Sequence, residues 1–218
     1  MSEETGVLAI DGAGLAWRRN AGAGPMIVWL GGFASEMTGT KASALASWAA
    51  AGGRGFLRFD YFGHGESEGD FAAGTISRWR ADAMAMIDQL ARGPLVLVGS
   101  SMGGWLASLA ALARPERIAG LVLIAPAIDF TRGLADASTA LREDGARWSI
   151  LPGPIPIACP VRILQGGADD QVPWRHALEF SQSLRGDNVV FSLIRDGDHR
   201  LSRPEDIARL IAAVEEVA

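Results

Sequence analysis

Two serines lie at the centre of a G-x-S-x-G pattern, in which a serine hydroxyl on a sharp turn can act as a nucleophile. One is Ser101 in the stretch LVLVGSSMGGW, and the other is Ser67 in the stretch GHGESEGD. Such a serine can attack an acyl carbonyl when a general base lies within hydrogen-bond distance of its hydroxyl. The pattern therefore predicts acyl-transfer chemistry at one of two positions, and the surrounding residues must decide between them.

The surroundings of the two serines favour Ser101. It follows the apolar run Leu95–Val98, a predicted buried strand, and is followed at once by the predicted helix Met102–Ala113. A nucleophile elbow needs this strand, turn and helix, and the N–H groups at the start of the helix suit an oxyanion. Ser67 lies in a glycine-rich loop between two glutamates, whose negative charge disfavours an alkoxide. A Gly-Ser turn that merely starts a helix is the alternative interpretation of Ser101.

The base must be one of three histidines, His64, His176 and His199. His199 lies in the loop RDGDHRLSRPED, between a predicted strand and the last predicted helix, and Gly197 lets this loop bend. A histidine at the carboxyl end of a strand is well placed to reach a nucleophile on a central strand. His64 lies in a glycine-rich turn, and His176 lies in the first turn of a predicted helix, where we expect a solvated side chain.

An acid that orients the histidine is expected after a strand that lies between the serine and the histidine in sequence. The predicted strand Val161–Leu164 is followed by Asp169 and Asp170, and either carboxylate could hold the imidazole in one tautomer. Asp129 follows an earlier predicted strand and is a weaker candidate. Asp198 is adjacent to the candidate base and is too close in sequence to orient its ring.

The elements that must position these residues alternate along the chain between strands and helices. Continuous apolar runs such as MIVWL indicate buried strands, whereas the 3.6-residue spacing of apolar residues in TISRWRADAMAMIDQLA indicates an amphipathic helix. We predict strands at Val7–Ile10, Leu15–Arg18, Met26–Leu30, Gly55–Phe59, Leu95–Val98, Ile118–Ile124, Val161–Leu164 and Val189–Ile194. We predict helices at Thr40–Ala51, Thr75–Ala91, Met102–Ala113, Trp174–Leu184 and Arg203–Val217. This alternation predicts an α/β fold with a mostly parallel sheet and helices on both faces.

One segment, Asp129–Pro160, interrupts the alternation and contains the proline-rich stretch SILPGPIPIACP. We interpret it as an excursion from the sheet with at most one helix and an extended return. The length of 218 residues suits a single domain over residues 1–218, with residues 129–160 as a short cap within it.

The composition argues against several classes of protein. The chain is 49% hydrophobic and 21% charged with a net charge of -5, and it lacks the basic stripe of a nucleic-acid-binding protein. One cysteine cannot form an internal disulfide, and with three scattered histidines it is a poor supply for a zinc site, so we expect no metal or other cofactor. The acidic start MSEETGVLAIDG and the lack of a long apolar run predict a cytoplasmic protein without a membrane span.

Taken together, the motifs resemble those of the α/β-hydrolase superfamily over nearly the whole chain. The acid loop of that superfamily is similar to ADDQVP, which favours Asp169 over Asp170, and its histidine loop is similar to GDHRLS, which favours His199. Its D-x-x-G-x-G-x-S turn is similar to RFDYFGHGES, where Ser67 and His64 would be structural. The resemblance implies a sheet of about eight strands and a nucleophile at Ser101 rather than Ser67.

A narrower resemblance connects the chain to the branch that contains mitochondrial thioesterases acting on palmitoylated proteins and on acyl glucuronides. It rests on the phrases GTKASAL, RFDYFGHGES, ISRWRADAMAMIDQL, VLVGSSMGGWL, ARPERI, GPIPIACPVRIL and DDQVPW. The implied activity is hydrolysis of small-molecule carboxylic esters or acyl thioesters through Ser101, His199 and Asp169, with no cofactor.

Two departures from the superfamily pattern bear on the site. The usual His-Gly after the third strand is here Gly31-Gly32, and by position the backbone N–H groups of Phe33 and Met102 would form the oxyanion hole. The excursion at residues 129–160 is shorter than the lid expected for this branch, which would leave the nucleophile more open and the acyl pocket shallower.

Apolar residues near the loops that should face the site are candidate pocket walls. Besides the two oxyanion residues, we predict Met37, Phe62, Trp105 and Trp148, with the alternative that Trp105 belongs to the core.

Two alternative functions are compatible with the same serine, histidine and aspartate. One is perhydrolase or carbon-carbon bond hydrolase chemistry, and the other is ligand binding without turnover.

Overall fold

A computed structural model describes residues 3–133 and 138–218. The strands are β1 (Glu4–Ile10), β2 (Ala13–Asn20), β3 (Ala23–Leu30), β4 (Arg54–Phe59), β5 (Leu95–Ser100), β6 (Ile118–Ile124), β7 (Val161–Gly166) and β8 (Val189–Ile194). The α-helices in the described ranges are α1 (Thr40–Ala51), α2 (Ile76–Leu90), α3 (Met102–Ala113), α4 (Thr139–Arg147), α5 (Trp174–Ser183) and α6 (Pro204–Glu215). Each predicted strand and helix is present, with ends that shift by no more than a few residues.

The strands form one sheet in the order β1-β2-β4-β3-β5-β6-β7-β8. β2 runs antiparallel to both β1 and β4, and the other neighbouring pairs are parallel. The predicted fold class is therefore confirmed: the sheet has eight strands and is mostly parallel. Its parallel part brings the carboxyl ends of β3, β5, β6, β7 and β8 to the same edge, where the loops that follow them meet.

Helices cover both faces of the sheet, which explains the continuous apolar runs of the central strands. In β3, Val28 and Leu30 belong to one hydrophobic cluster, which also includes residues of α2, α3 and α5. Ile27 and Trp29 belong to a second cluster, which includes residues of α1 and α6. Because side chains alternate along a strand, these two clusters are the two sides of the sheet.

The excursion after β6 is bound to α2 through polar contacts. The Ser77 N–H and hydroxyl both donate to the carboxylate of Asp144 on α4, at 2.7 and 2.6 Å. The Trp148 indole N–H then donates to the Ser77 hydroxyl oxygen at 2.7 Å. These three bonds fix α4 and the start of the extended return to the first turn of α2.

Candidate active site

Ser101 forms the turn between β5 and α3. Its φ is 54° and its ψ is −120°, a conformation that costs a non-glycine residue on the order of 1–3 kcal/mol. The Ser101 N–H donates to the Ile124 carbonyl at 2.9 Å and so holds the turn against β6. A Cβ at Gly103 would lie 2.1 Å from the Leu30 carbonyl oxygen, so a glycine is needed for α3 to begin this close to β3. The glycines of the elbow pattern thus serve the close approach of backbone segments.

His199 and Asp169 form a continuous chain of hydrogen bonds with Ser101. The Nε2 atom of His199 lies 3.1 Å from the Ser101 hydroxyl oxygen, and its Nδ1 atom lies 2.9 Å from an Asp169 carboxylate oxygen. Because an ionised carboxylate only accepts, Nδ1 carries the proton, which leaves Nε2 free to accept from the serine hydroxyl. The structure therefore brings together the three residues that the sequence predicts.

The Asp169 carboxylate is held by four donors. One oxygen accepts from the backbone N–H groups of Gln171 and Val172 at 2.9 and 2.8 Å. The other accepts from His199 and from the Gln165 side-chain amide, the latter at 3.0 Å. Burial alone would raise the pKa of Asp169, but the hydrogen bonds from His199 and the two backbone N–H groups outweigh it and lower the pKa. The carboxylate is therefore ionised at neutral pH.

Gln165 is a site residue that the sequence reasoning missed. It lies in β7 with 0% of its surface exposed, and its amide nitrogen donates to the Asp169 carboxylate and to the Val172 carbonyl at 3.1 Å. A buried amide in a strand that is otherwise largely apolar is unusual. That polar residue, four positions before the acid, is the signal that could have identified it.

Replacing Gln165 with leucine is expected to lower kcat about tenfold, because loss of one hydrogen bond to a charged group is worth about 1.4 kcal/mol or more. KM should change little, since Gln165 contacts the acid and not the cavity. Steady-state kinetics between pH 5 and 9, with a thermal melt of each protein, would measure this. The acid limb of the profile should shift to higher pH, because the Asp169 oxygen that loses the Gln165 donor interacts more strongly with the imidazolium form of His199; an unchanged kcat and profile would contradict a positioning role.

The two predicted oxyanion N–H groups belong to the start of α3 and to the loop after β3. Met102 is the first residue of α3, so its N–H has no acceptor within the helix. Phe33 lies in the loop after β3, and no hydrogen-bond acceptor is found for its N–H within residues 3–133 and 138–218. A Cβ at Gly32 would lie 3.3 Å from the Ser101 Cβ, so this loop passes directly beside the nucleophile.

His64 anchors the loop that carries the Phe33 N–H. The Ala34 N–H donates to His64 Nε2 at 3.2 Å, so Nε2 carries no proton, and Nδ1 donates to the Phe62 carbonyl at 3.1 Å. Burial lowers the pKa of His64, while the bond to Phe62 and the nearby charge of Asp60 act in the opposite direction. A neutral histidine thus holds the oxyanion loop in place.

The other serine and the remaining histidine have their own partners. The Ser67 hydroxyl donates to the Asp60 carbonyl at 2.7 Å and accepts from the Ala16 N–H at 2.9 Å, so it joins the turn to β2. His176 does not have the solvated position that we expected. It is half-buried, lines the cavity and binds the Ile128 carbonyl through Nε2 at 2.8 Å.

The alternative acids are placed away from the histidine. Asp170 is exposed. Asp198 accepts from the Leu201 N–H at 2.8 Å. Asp129 is buried, and its carboxylate accepts from the Ser149 hydroxyl at 2.6 Å, which ties down the return of the excursion. Within the described ranges, Asp169 is the carboxylate that contacts His199.

A cavity of about 780 Å³ opens beside Ser101 and His199. The residues that line it come from the loops after β3, β5, β6, β7 and β8, as the parallel sheet requires. Its apolar lining includes Phe33, Ile128, Phe130, Leu151, Pro152 and Val172. Its polar lining includes Lys41, Arg132, His176, Glu179 and Arg200. The cavity can therefore hold a small molecule with both an apolar and a polar part.

Four predicted pocket residues need correction. Met37, Phe62, Trp105 and Trp148 are not among the described residues that line the cavity. Met37 and Trp105 are interior side chains with 1% and 0% of their surface exposed. The rings of Phe62 and Trp148 instead face α2, where guanidinium groups lie 4.5 and 4.2 Å from the ring centroids. Phe62 and Trp148 pack against the hydrophobic cluster on one face of the sheet. The prediction was wrong because a residue near a loop in sequence does not necessarily line the cavity.

Comparison with protein families identifies the chain. Residues 25–151, more than half of the sequence, match the family described as Hydrolase_4, serine aminopeptidase S33. The chain belongs to this family of α/β hydrolases. Within residues 3–133 and 138–218, this α/β hydrolase has no cluster of three or more His, Cys, Asp or Glu residues that could hold a metal ion. Over the same ranges, its helices are too short or too polar to cross a membrane.

Relatives of this α/β hydrolase are similar over most of their length. The mitochondrial palmitoyl-protein thioesterase ABHD10 of Mus musculus is 35% identical over 93% of this chain and 78% of its own. The solved structure of mouse α/β hydrolase domain-containing protein 10 has a TM-score of 0.93 and 32% identity, and it covers 98% of this chain and 97% of its own. A putative hydrolase from Agrobacterium vitis has a TM-score of 0.94 and 40% identity, with coverages of 100% and 99%. These similarities support hydrolysis of an ester or a thioester by this family member.

The expected cytoplasmic location is contradicted by these comparisons. The matching thioesterases from mouse, cattle and human are named as mitochondrial proteins. The comparisons therefore do not support the cytoplasmic assignment. The expectation was wrong because it rested on the acidic start and the lack of a long apolar run, and neither feature distinguishes the two compartments.

Proposed function

We propose that this α/β hydrolase cleaves carboxylic esters or acyl thioesters through an acyl-enzyme intermediate on Ser101. The observation that carries the proposal is the hydrogen-bonded chain from Ser101 through His199 to Asp169, with distances of 3.1 and 2.9 Å. This geometry lies within the range in which a histidine can accept a proton from a serine hydroxyl. The name of the mouse relative, a palmitoyl-protein thioesterase, supports thioesters as one substrate class.

In the first half-reaction, His199 Nε2 accepts the hydroxyl proton while the Ser101 oxygen attacks the acyl carbonyl. The backbone N–H groups of Phe33 and Met102 stabilise the oxyanion, and loss of one such donor typically costs about two to three powers of ten in rate. His199 then donates the proton to the departing alcohol or thiol. Asp169 holds the ring in the required tautomer and stabilises the imidazolium.

In the second half-reaction, His199 accepts a proton from a water molecule that attacks the acyl-enzyme. The same two N–H groups stabilise the second oxyanion. Return of the proton to Ser101 releases the carboxylic acid and restores the enzyme. Every proton in this cycle passes through one imidazole nitrogen, so the residues of the chain supply the whole reaction without a metal or other cofactor.

The segment at residues 129–160 is proposed as a short cap within a single domain of residues 1–218. Its described residues Phe130, Leu151 and Pro152 line the cavity and supply part of the apolar surface. The bonds from Ser77 to Asp144 and from Trp148 to Ser77 would keep this cap closed on α2 during turnover. A small-molecule ester or thioester is therefore the expected substrate.

The test is a series of p-nitrophenyl esters and acyl thioesters from acetyl to palmitoyl, measured with the wild-type protein. A maximum at short chains would indicate an open site, and a maximum at long chains would indicate that the cap forms an acyl tunnel. A fluorophosphonate probe on the same protein tests the nucleophile directly, with Ser101→Ala as the unlabelled control. Absence of both turnover and labelling would overturn the proposal in favour of a binding protein.

A further inference from the structure

The chain has a single lysine, and it lies at the candidate active site. Of the 20 Lys and Arg residues in the sequence, one is a lysine, Lys41, and the rest are arginines. Lys41 is in the first turn of α1 and lines the same cavity as Ser101 and His199. Lysine differs from arginine in that its amine can lose its proton and become a nucleophile. The only side-chain amine of the protein therefore faces the place where an activated acyl group would bind.

The Lys41 side chain is held against the loop that carries His199. Its Nζ donates to the Arg200 carbonyl and lies 3.4 Å from the Ser202 hydroxyl oxygen. Arg200 directly follows His199, so these contacts place the amine beside the candidate base although α1 and this loop are far apart in sequence. The amine is thus positioned by the fold and does not extend freely into solvent.

The contacts of Lys41 leave room for a neutral amine. A neutral amine has two N–H donors and one lone pair, and the Arg200 carbonyl and the Ser202 hydroxyl can accept both N–H groups. Burial is the main cause that lowers the pKa of Lys41 to about 8, the neighbouring Arg200 lowers it further, and Asp198 and Asp206 act in the opposite direction. In slightly alkaline solution, a large fraction of Lys41 therefore carries a free lone pair.

We propose that Lys41 is a site of self-acylation, at which the protein takes an acyl group from an acyl thioester bound in its own cavity. The Nζ lone pair forms a carbon-nitrogen bond with the acyl carbonyl carbon, and the carbon-sulfur bond breaks. The departing sulfur takes up the proton that the amine loses, so the products are an amide and a free thiol. The inference rests on the proposed function only in that the cavity must admit an acyl thioester.

Acylation would change the site in two ways. An amide nitrogen has one N–H, so Lys41 would lose one of its bonds to the His199 loop, to Arg200 or to Ser202. The attached acyl chain would also occupy part of the cavity of about 780 Å³. Because an amide is not attacked readily by Ser101, the modification would accumulate and slow hydrolysis of further substrate.

The experiment uses the full chain carrying Ser101→Ala, so that the thioester is not consumed by hydrolysis. The protein is incubated at pH 8 with the octanoyl thioester of N-acetylcysteamine and analysed by intact and peptide mass spectrometry. The expected result is one octanoyl adduct on Lys41 that resists hydroxylamine, as an amide does and an ester does not. The α-amino group of the chain serves as an internal reference for unspecific acylation.

A matched variant moves the single lysine to the surface. Lys41→Arg combined with Arg92→Lys keeps the net charge, and position 92 is exposed. At pH 8 an ordinary lysine is neutral in about 0.4% of molecules, whereas an amine with a pKa of 8 is neutral in about half of them. Because a less basic amine is also a weaker nucleophile, we expect Lys41 to react at least about tenfold faster than the relocated lysine.

Two outcomes would overturn the inference: no adduct on Lys41 in the Ser101→Ala protein, or equal acylation rates for Lys41 and the relocated lysine. Hydrolysis by the wild-type protein is measured in parallel and decides the proposed function separately. If the wild-type protein hydrolyses the thioester but Lys41 stays unmodified in the Ser101→Ala protein, self-acylation is contradicted and the proposed function is supported. If Lys41 carries the adduct but the wild-type protein hydrolyses no thioester, self-acylation is supported and the proposed hydrolase function is contradicted.

Discussion

Replacing Ser101 with alanine is expected to lower kcat for ester and thioester hydrolysis by about four to six powers of ten. The hydroxyl is the atom that would carry the acyl group, so the acyl-enzyme route is lost, and the residual rate comes from binding and the oxyanion N–H groups. Substrate binding should survive, because the side chain is small and the turn is held by its backbone. Single-turnover kinetics with a short p-nitrophenyl ester would measure the rate constant and the substrate concentration that gives half of it. A thermal melt would show that the variant is folded.

The matched control is the second serine of the same pattern. Ser67→Ala should leave kcat of the folded protein within a few-fold of wild type. It should lower stability by about 1–2 kcal/mol, since the Ala16 N–H loses its acceptor and the contact to the Asp60 carbonyl is removed. Equal losses of activity in the two variants would contradict the assignment of Ser101 as nucleophile.

Asp169→Asn is expected to lower kcat by about three to four powers of ten while the fold is retained. The carboxylate accepts from His199 Nδ1 at 2.9 Å and so keeps Nε2 free of a proton. An asparagine can turn its NH₂ group toward Nδ1, which then becomes an acceptor and moves the proton to Nε2. His199 could no longer accept the proton of Ser101, so the loss should appear in kcat more than in KM.

Asp170→Asn provides the control for this prediction, because it removes the same charge one residue away. Asp170 is exposed, and its replacement should change kcat by less than about twofold. Measurement of kcat and KM for both variants over the same pH range decides between the two acids. A large loss for Asp170→Asn with an active Asp169→Asn would reverse the assignment.

Much of the fold and the central geometry of the site could be predicted from local patterns. The apolar runs of β3, β5 and β6 indicate buried parallel strands, and such a sheet brings the loops after its strands to one edge. That rule explains why Ser101, Asp169 and His199, separated by up to 98 residues, meet within hydrogen-bond distance. The glycines on either side of Ser101 were informative because close backbone contacts leave no space for a Cβ.

What could not be predicted depends on contacts between side chains distant in sequence. The contact from Lys41 to Arg200 joins residues 159 positions apart, and nothing in the local sequence of either one indicates it. The predicted pocket walls were wrong for the same reason. Met37 and Trp105 are apolar and near the loops in sequence, but packing in the folded chain places both in the interior, with 1% and 0% of their surface exposed. The sequence shows Gln165 only as a polar residue in a predicted buried strand. Its hydrogen bond to Asp169 becomes evident only in the folded structure.

The neutral His64 beneath the oxyanion loop has a consequence for acid tolerance. Its Nε2 accepts the Ala34 N–H, so a proton on Nε2 would set two donors against each other. Because burial lowers its pKa in the folded protein, the stability that His64 contributes is present above the ordinary histidine pKa near 6.5 and is lost as pH falls through the lowered value. Acid would thus weaken the hold of this histidine on the loop that carries the Phe33 N–H. A histidine that does not line the cavity would then add an architectural contribution to the acid limit of this enzyme, beside the need of His199 to be free of a proton on Nε2.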